Sequence, residues 1–300
     1  MTYSIIARDP RTGQMGVATQ SQAFAVGASV PWAIAGYGVI ATQSMGEPMY
    51  GELGLDVLRS GLTATEALEA LRSVDPHPER RQVGMLDSYG YLDVYTGDKC
   101  VPESGHCVGD GCVALANMMT SRDVWDVMIG ACESTQGPLS TRLLAALHAA
   151  EDEGGDFRGQ RSASVLVVRA ERTGRPWRDQ IVDLRVDDHQ HAVDELDRLV
   201  ATNLRYHRTV EAFELAMNGD ASDALEALEH VPEPEPADDP DLTLWSAIVF
   251  ALSGEQARAG DLLQSLNRHH PAFIDAAHRF IDVELITADL LREVLPPRPS

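Results

Sequence analysis

Apolar and polar positions alternate in short runs along the first two thirds of the chain, which predicts β-strands. Tyr3–Arg8 (YSIIAR) is a β-like run, and Asp9–Gly13 (DPRTG) supplies turn residues that send the chain back as Met15–Ser21. The chain is therefore predicted to open with a hairpin. Further strands are predicted at Val39–Gln43, Val83–Leu86, Leu92–Tyr95, Val113–Leu115, Ala163–Arg169 and Gln180–Val186.

Helical spacing of apolar residues predicts two helix pairs between these strands. Thr63 and Glu66 stand at the positions of a capping box at the start of one helix. The order of strands, two helices, strands, two helices, strands predicts an α+β fold with two antiparallel sheets stacked face to face and helices outside. A doubly wound parallel sheet would alternate more regularly. The predicted pairs are Tyr50–Ser60 with Ala64–Val74 and Val124–Cys132 with Leu139–Ala150.

The β pattern stops after Asp188, and Val193–Leu295 indicates helix or acidic loop. We therefore expect an N-terminal domain at residues 1–200 and a C-terminal helical domain at 201–300. Val231–Asp241 (VPEPEPADDPD) predicts a solvated acidic linker within the second domain, because its prolines remove hydrogen-bond donors. The helical patterns on either side, 210–228 and 242–266, are compatible with a tetratricopeptide-like array or with a plain helical bundle.

Composition and charge limit the partners and the location that we expect. With 44% hydrophobic and 23% charged residues, the chain has ordinary globular composition. Its formal net charge of -22 disfavours nucleic acid and anionic membranes as partners. No apolar run is long enough to span a bilayer, and the first residues do not resemble a signal segment. We expect a cytoplasmic protein.

The cysteines predict neither a disulfide framework nor a metal site. Four cysteines in 300 residues are too sparse for such a framework, so reduced thiols are expected. Cys100, His106, Cys107 and Cys112 lie in one segment, but their spacing matches no paired zinc-ligand pattern. Gly105–Gly111 (GHCVGDG) lacks the lysine and hydroxyl residue of a phosphate-binding loop. The sequence therefore predicts no metal and no cofactor.

Thr2 is the candidate nucleophile. Removal of Met1 would leave Thr2 with a free α-amine whose reference pKa of roughly 7.7 to 8.0 lets it accept the hydroxyl proton near neutral pH. Nucleophile and base then belong to one residue, as in the N-terminal threonine variant of acyl-transfer sites. The hairpin Tyr3–Ser21 would hold this terminus in place.

The first two thirds of the chain resemble one bacterial family, the "domain of unknown function 1028" group. The resemblance runs in order from about Thr2 to Val200 and implies an Ntn-hydrolase fold, the αββα sandwich of hydrolases with an N-terminal nucleophile. It is carried by TYSIIAR (2–8), VATQS (17–21), FAVG (24–27), VPWA (30–33), VIATQS (39–44), Tyr50 with Gly51, Gly105 with His106, Asn117 with Met118, Gly155 with Asp156, RGQRSA (158–163) and LRVDD (184–188).

A more distant resemblance to proteasome β-type peptidases implies roles for several residues. Gln43–Glu47 (QSMGE) resembles the strand-to-helix turn of those enzymes, in which the Gly46 amide would bind the oxyanion. Asp156 and Ser162 resemble the aspartate and serine beside their terminal amine. Gln20 lies near the position of an aspartate. The lysine of proteasome sites has no counterpart, since Lys99 is the only lysine of this chain.

The remaining candidates come from the same segments. Asn117 could donate to an oxyanion or cap the following helix. Arg158, Arg161 and Arg185 could hold a substrate carboxylate or pair with Asp156, Asp187 and Asp188. Ser4 is a reserve nucleophile, because residues two apart on a strand share a face. The expected substrate-binding residues are Ser4, Gln43, Ser44, Glu47, Tyr50, His106, Arg158 and Arg161.

Three functions remain open on the sequence. The leading hypothesis is hydrolysis of an amide or related C–N bond in a small molecule through a Thr2 acyl-enzyme. The alternatives are a ligand-binding or assembly module without chemistry, and a platform whose C-terminal helices dock a protein partner. A homo-oligomer is expected because sandwich proteins of this kind commonly expose a helical layer that self-associates.

Overall fold

The computed structural model describes residues 2–229, 234–286 and 291–299, and it divides the chain into two compact units. The first unit is Met1–Val200 and the second is Ala201–Ser300. None of the helices among the described residues is both long and apolar enough to cross a membrane.

The first unit contains two antiparallel sheets. The larger sheet has six strands in the order β10-β9-β2-β1-β8-β7, and the smaller has four in the order β3-β4-β5-β6. The strands are β1 (Thr2–Arg8), β2 (Met15–Ser21), β3 (Pro31–Ile34), β4 (Gly38–Ser44), β5 (Arg81–Asp87), β6 (Leu92–Thr96), β7 (Gly105–Val108), β8 (Cys112–Asn117), β9 (Ser162–Val168) and β10 (Gln180–Val186).

Each sheet is contacted by its own helix pair. Helices α1 (Met49–Arg59) and α2 (Ala64–Val74) contact the four-stranded sheet, whereas α3 (Val124–Ser134) and α4 (Leu139–Asp152) contact the six-stranded one. A short helix, α5 (Pro176–Asp179), precedes β10. Helix α2 begins with the predicted capping box, in which the Glu66 amide donates to Thr63 Oγ1 at 3.3 Å and the Thr63 amide donates to Glu66 Oε2 at 2.8 Å.

The two sheets contact each other through alternate residues of their central strands. Ile6, Val17 and Val113 of the larger sheet form one apolar cluster with Val39 and Leu86 of the smaller. Burying this surface against a second sheet is what drives the stacking, because half-buried strands must cover their apolar face. Along this face of β1, apolar Ile6 is followed by polar Ser4 and Thr2 toward the start of the strand.

Every strand and helix predicted for residues 1–186 is present, with ends that shift by a few residues at most. Two strands escaped prediction, β3 (PWAI) and β7 (GHCV). Each lies at one edge of its sheet and has four residues, none of them fully buried. An edge strand covers little apolar area, so it carries little of the alternation that marks a strand.

The second unit is helical among its described residues. Helix α6 (Ala192–Asn218) has 27 residues and continues without a break past residue 200, where the boundary between the two domains was expected. Trp245 lies 5.1 Å from Phe213 and 5.6 Å from Phe280 between ring centroids within its core. The further helices are α7 (Ala221–Glu229), α8 (Pro240–Leu252), α9 (Gln256–His269) and α10 (Pro271–Asp282).

The predicted acidic linker is shorter than the sequence indicated. Pro240 and Asp241 belong to the first turn of α8, where proline is favoured because amides of that turn have no carbonyl partner within the helix, so the missing N–H of proline costs no hydrogen bond. Asp239 pairs with Arg205. Residues 231–233 of the predicted linker lie outside the described residues.

Candidate functional site

A row of polar residues crosses the six-stranded sheet where β1 begins. Thr2 is paired with Asn117 of β8 on one side and with Ser21 of β2 on the other, and Ser21 is paired with Ser162 of β9. Directly paired residues of antiparallel strands point to the same face. The row therefore faces the four-stranded sheet. Thr2 is 4% exposed, and its Oγ1 donates to Ser21 Oγ at 3.3 Å.

Two side-chain amides hold the carbonyl oxygen of Thr2. Gln43 Nε2 reaches it from the opposite sheet at 3.1 Å, and Asn117 Nδ2 reaches it from the neighbouring strand at 3.2 Å. Both amides also donate to Gln82 Oε1, at 2.8 and 2.9 Å. The first residue of the strand is thus fixed from both sheets.

Asn117 uses its donors inside this network. Its two amide hydrogens are directed at Thr2 O and Gln82 Oε1, so neither is left for an oxyanion. Its Oδ1 is buried without a hydrogen-bond partner among the described residues. In this geometry the donors of Asn117 are used by Thr2 and Gln82 and are not free for an oxyanion.

Ser4 lies on the same face as Thr2, as predicted, but it is fully buried. Its hydroxyl contacts Gln43 Oε1 at 2.6 Å and Thr19 Oγ1 at 2.9 Å. A hydroxyl enclosed in this way cannot meet a substrate. The structure therefore places Ser4 beneath Thr2 as support and not as a second nucleophile.

A cavity of about 220 Å³ opens beside Thr2. It collects four of the predicted residues, namely Thr2, Gln43, Ser44 and Gly46. No charged side chain is among the described residues that line it, which is notable in a chain with 46 acidic residues. Its other lining residues are Ala23, Phe24, Val26, Ser29, Val30, Thr42 and Pro48.

Left-handed backbone occurs at three non-glycine positions near Thr2, of which Ser44 lines the cavity. Ser44 has φ 73°, Ala25 has φ 54° and Met118, which follows Asn117, has φ 59°. Such conformations cost on the order of 1–3 kcal/mol each and persist where the surroundings enforce them, often at functional sites. Their concentration around Thr2 supports a functional role for this end of the sheets.

Gly46 occupies the predicted turn between β4 and α1. It lines the cavity, and its N–H donates to no acceptor among the described residues. Its neighbour Glu47 is half-buried; the side chain accepts from the Met49 amide at 3.4 Å and lies 3.9 Å from Arg81. Glu47 therefore lies at the turn but does not line the cavity.

Asp156 and Ser162 are both tied to the loop that lines the cavity. Asp156 is 3% exposed and binds Arg158 through both oxygens, at 2.7 and 3.1 Å, and it also accepts from the Gln22 amide at 3.4 Å. Ser162 Oγ donates to Ala23 O at 2.6 Å and accepts from the Val26 amide at 3.0 Å. Neither residue lines the cavity, but both bind the loop that forms part of its wall.

Arg158, Arg161 and Arg185 pair internally, which decides between the two roles considered for them. Arg158 binds Asp156, Arg161 binds Asp188 at 2.8 Å and Arg185 binds Asp187 at 2.8 Å. Arg161 also lies over the Phe24 ring, with 5.6 Å from guanidinium to centroid. None of them lines the cavity.

The structure does not bring Gln20, Tyr50 and His106 to the cavity. Gln20 is paired with Tyr3, which points to the opposite face of the sheet from Thr2. Tyr50 belongs to the apolar cluster under α1 and α2, and its hydroxyl donates to Asp75 at 3.0 Å. His106 lies on edge strand β7 and contacts Thr96 Oγ1 at 2.8 Å through Nδ1.

Gln82 is a residue of the Thr2 network that sequence analysis missed, as it also missed seven of the residues that line the cavity. It is fully buried, accepts from Gln43 and Asn117, and donates to Ala116 O at 2.8 Å and Thr96 Oγ1 at 3.0 Å. It therefore links the residues around Thr2 to the Thr96–His106 contact. The available signal was a glutamine directly before the apolar run Val83–Leu86, because the predicted strand began two residues later than the observed one.

The fold and this arrangement define a class: a mixed α+β protein of two antiparallel sheets, with a small uncharged cavity at the first residue of a central strand. Residues 2–196 match the model of the "Family of unknown function (DUF1028)". The chain belongs to the DUF1028 family, which confirms the resemblance noted in its sequence.

One solved structure carries the same family name. The chain is similar to the crystal structure of protein SPO2555 from Silicibacter pomeroyi, described as a DUF1028 protein, with 30% sequence identity and a TM-score of 0.60. The similarity covers 66% of this chain and 87% of that one. No curated protein matches the chain.

Proposed function

We propose that this protein is an N-terminal-nucleophile hydrolase that cleaves an amide or related C–N bond of a small, uncharged acyl compound. The observation that carries the proposal is the position of Thr2, which lines a cavity while its carbonyl is held by side chains from both sheets. The order of helix pair, sheet, sheet and helix pair is that expected of an Ntn-type αββα sandwich, and it supports the same assignment.

The proposed reaction begins with the α-amine that removal of Met1 would expose. The amine accepts the proton of Thr2 Oγ1 as this oxygen bonds to the substrate carbonyl carbon. The C–N bond then breaks, and the proton passes to the departing amine. Water, deprotonated by the same α-amine, attacks the resulting ester and restores Thr2 with release of the acid.

The Gly46 amide is our candidate for stabilising the oxyanion. It lies at the cavity, its N–H donates to no acceptor among the described residues, and a backbone donor needs no particular side chain. Ser44 precedes it in left-handed backbone, which orients the turn. Positioned donors of this kind typically contribute about 10²–10³ to kcat.

The lining of the cavity indicates the class of substrate. Its apolar and hydroxyl side chains suit an acyl group without charge, and about 220 Å³ suits a small one. The three arginines considered as carboxylate-binding residues are bound to Asp156, Asp188 and Asp187 instead. We therefore propose neutral N-acyl compounds as substrates.

The experiment that tests the proposal combines mass spectrometry with turnover of neutral acyl p-nitroanilides of increasing chain length. We expect the intact mass to lack Met1, Thr2→Ala to abolish turnover and Thr2→Ser to retain part of it. Ser4→Ala should stay active if it folds, since Ser4 is buried support. Undiminished turnover in Thr2→Ala, or active protein that keeps Met1, would refute the assignment.

A ligand-binding module without chemistry is the second candidate. The observation that favours it is the absence of any cationic side chain among the described residues that line the cavity. A neighbouring cation is one means by which a protein favours the neutral, basic form of an amine, and the lining of this cavity does not supply it. Saturable binding of neutral acyl amides with no turnover at pH 9 would select this candidate.

We also propose a cytoplasmic location, a homo-oligomeric state and a protein partner for the C-terminal helices. All four cysteines are free, which suits a reducing compartment.

The described part of the second unit exposes four large apolar residues, namely Val210, Met217, Val283 and Leu285. Light scattering of the full chain, and of variants with serine at these positions, tests whether they mediate association.

A further inference from the structure

A second cleft of about 450 Å³ lies at the opposite end of the sheets from Thr2. It is lined by the last residue of β1 and by the turns or loop that follow β1, β3, β5 and β9. Thr2 and Arg8 are the two ends of β1, so about 20 Å of strand separates this cleft from the candidate site. The lining residues are Arg8, Gly13, Gly36, Ser88, Tyr89, Ala170, Glu171 and Arg172.

Arg8 brings a guanidinium into the cleft without an acidic partner. The residue is half-buried, and its Nε is buried with no hydrogen-bond partner among the described residues. A buried, unsatisfied donor on a charged group is costly, and such a group in a native structure is commonly satisfied by a molecule that is not part of the chain. The Arg8 guanidinium also forms no ion pair among the described residues, so its positive charge is available to an acceptor bound in the cleft.

Arg172 supplies the second guanidinium from the loop after β9. Its Nη1 donates to the hydroxyl of Tyr37 at 2.9 Å, and the group lies 5.4 Å from the centroid of that ring. These contacts hold the side chain in place through a neutral partner, and Arg172 forms no ion pair among the described residues, although Asp179 lies near enough for the two charges to interact. The carboxylate of Asp179 is occupied by Thr173, whose amide and hydroxyl donate to it at 2.9 and 2.6 Å.

The rest of the lining leaves room for a ligand. Gly13 and Gly36 both have left-handed backbone, with φ 70° and 74°, so side chains are disfavoured at both positions. A methyl group on Gly36 would meet Arg172 Cγ at 3.3 Å. Glu171 is the acidic residue among those lining the cleft, and it forms no ion pair with either arginine in the described structure.

We propose that this cleft binds a small oxyanion, a carboxylate or a phosphate, between Arg8 and Arg172, with the Ser88 hydroxyl as a further donor. Guanidinium groups bind such oxygens in parallel pairs of charge-assisted hydrogen bonds. In a chain of net charge -22, long-range attraction would not bring an anion here, so binding depends on these local donors. The site is independent of the reaction proposed at Thr2.

Calorimetric titration of the full chain with inorganic phosphate and, separately, with acetate tests the proposal at constant ionic strength. We expect at least one of the two to bind saturably, and Arg8→Gln and Arg172→Gln each to weaken its affinity about tenfold or more. Phosphate binding alone would identify a phosphate ligand, and acetate binding alone a carboxylate. Thr2→Ala should bind as the unaltered chain does.

Arg11→Gln is the matched control, because Arg11 lies in the turn after β1 but is exposed and 3.7 Å from Asp9. It should leave anion affinity unchanged. Arg172 is exposed, so its variant is expected to fold even if Arg8→Gln does not, and circular dichroism checks both. Binding of neither anion, or equal binding in Arg172→Gln and in Arg11→Gln, would overturn the proposal.

Discussion

Gln43 and Thr2 are joined across the interface between the two sheets, where Gln43 Nε2 donates to the Thr2 carbonyl oxygen at 3.1 Å. The same amide accepts from Ser4 at 2.6 Å through its Oε1. Although 41 residues separate Gln43 from Thr2 in sequence, this one side chain fixes the first strand against the opposite sheet.

Replacing Gln43 with methionine should impair both stability and turnover. The substitution keeps approximate size but removes the contacts to Thr2, Ser4 and Gln82, and it leaves buried polar groups unpaired. We expect a loss of about 2–4 kcal/mol in unfolding free energy and a lower kcat. Denaturant unfolding and assay at a temperature where the variant is folded measure the two effects.

The same substitution at Gln20 should have the opposite effect on stability. Gln20 is fully buried, and both polar atoms of its amide lack partners among the described residues. Removing such an amide should stabilise the protein by about 1 kcal/mol, which raises Tm by roughly 2–4 °C. Turnover should be unchanged, because Gln20 faces away from Thr2. A fall in kcat in folded Gln20→Met would restore the catalytic role that the sequence suggested.

The contrast between these two glutamines shows what could be predicted from sequence. Alternation predicted the strands, and period two correctly placed Ser4 on the face of Thr2. Gln20 was assigned to the site through a likeness to another family, whereas its pairing with Tyr3 puts it on the other face. A shift of one residue along a strand places a side chain on the opposite face of the sheet. A resemblance to another family that matches positions only approximately can therefore assign a residue to the wrong face.

The residues around Thr2 could be predicted only in part, because the network depends on how two sheets stack. Gln43 and Gln82 come from β4 and β5 of the smaller sheet, and Thr2 and Asn117 from the larger one. No local sequence pattern predicts which strands of one sheet pack against which strands of the other. The partners of the three arginines could not be predicted for a similar reason. Either a substrate carboxylate or a neighbouring aspartate could bind them, and only the positions of the loops distinguish these two roles.

Glu151 should make the stability of the first unit depend on pH. Burial raises its pKa above the ordinary 4.5, the hydrogen bond from Tyr3 at 2.5 Å opposes this, and the charge of Asp156 adds to the increase. A raised folded-state pKa means that the folded protein binds this proton more tightly than the unfolded chain. Stability therefore falls as pH rises from 4.5 through the folded-state pKa.

Glu151→Gln should remove this dependence. The variant should be more stable than the unaltered protein above the folded-state pKa of Glu151, and the difference should vanish below pH 4.5. Asp152→Asn, an exposed change on the same helix, is the control and should show no such convergence. Urea unfolding at a series of pH values measures the difference, and a gap that is constant with pH would contradict the assignment.

The domain boundary proposed at residue 200 can be tested by truncation. A fragment of residues 2–200 should fold with a cooperative heat transition, because the apolar clusters between and outside the sheets lie within it. Since α6 continues to Asn218, a fragment of residues 2–218 serves as the comparison that keeps the whole helix. Circular dichroism decides the matter, and an insoluble 2–200 fragment beside a folded 2–218 fragment would move the boundary to the end of α6.

The position of Thr2 at the start of an interior strand has a practical consequence for any search for activity. Thr2 is 4% exposed and lines its cavity, and any residue attached ahead of it converts its α-amine into an amide. On the proposed mechanism, recombinant protein carrying an N-terminal affinity tag, or a single residue left by protease cleavage, would therefore lack the base and show no turnover in a substrate screen. A tag at the C-terminus leaves this end of β1 unblocked.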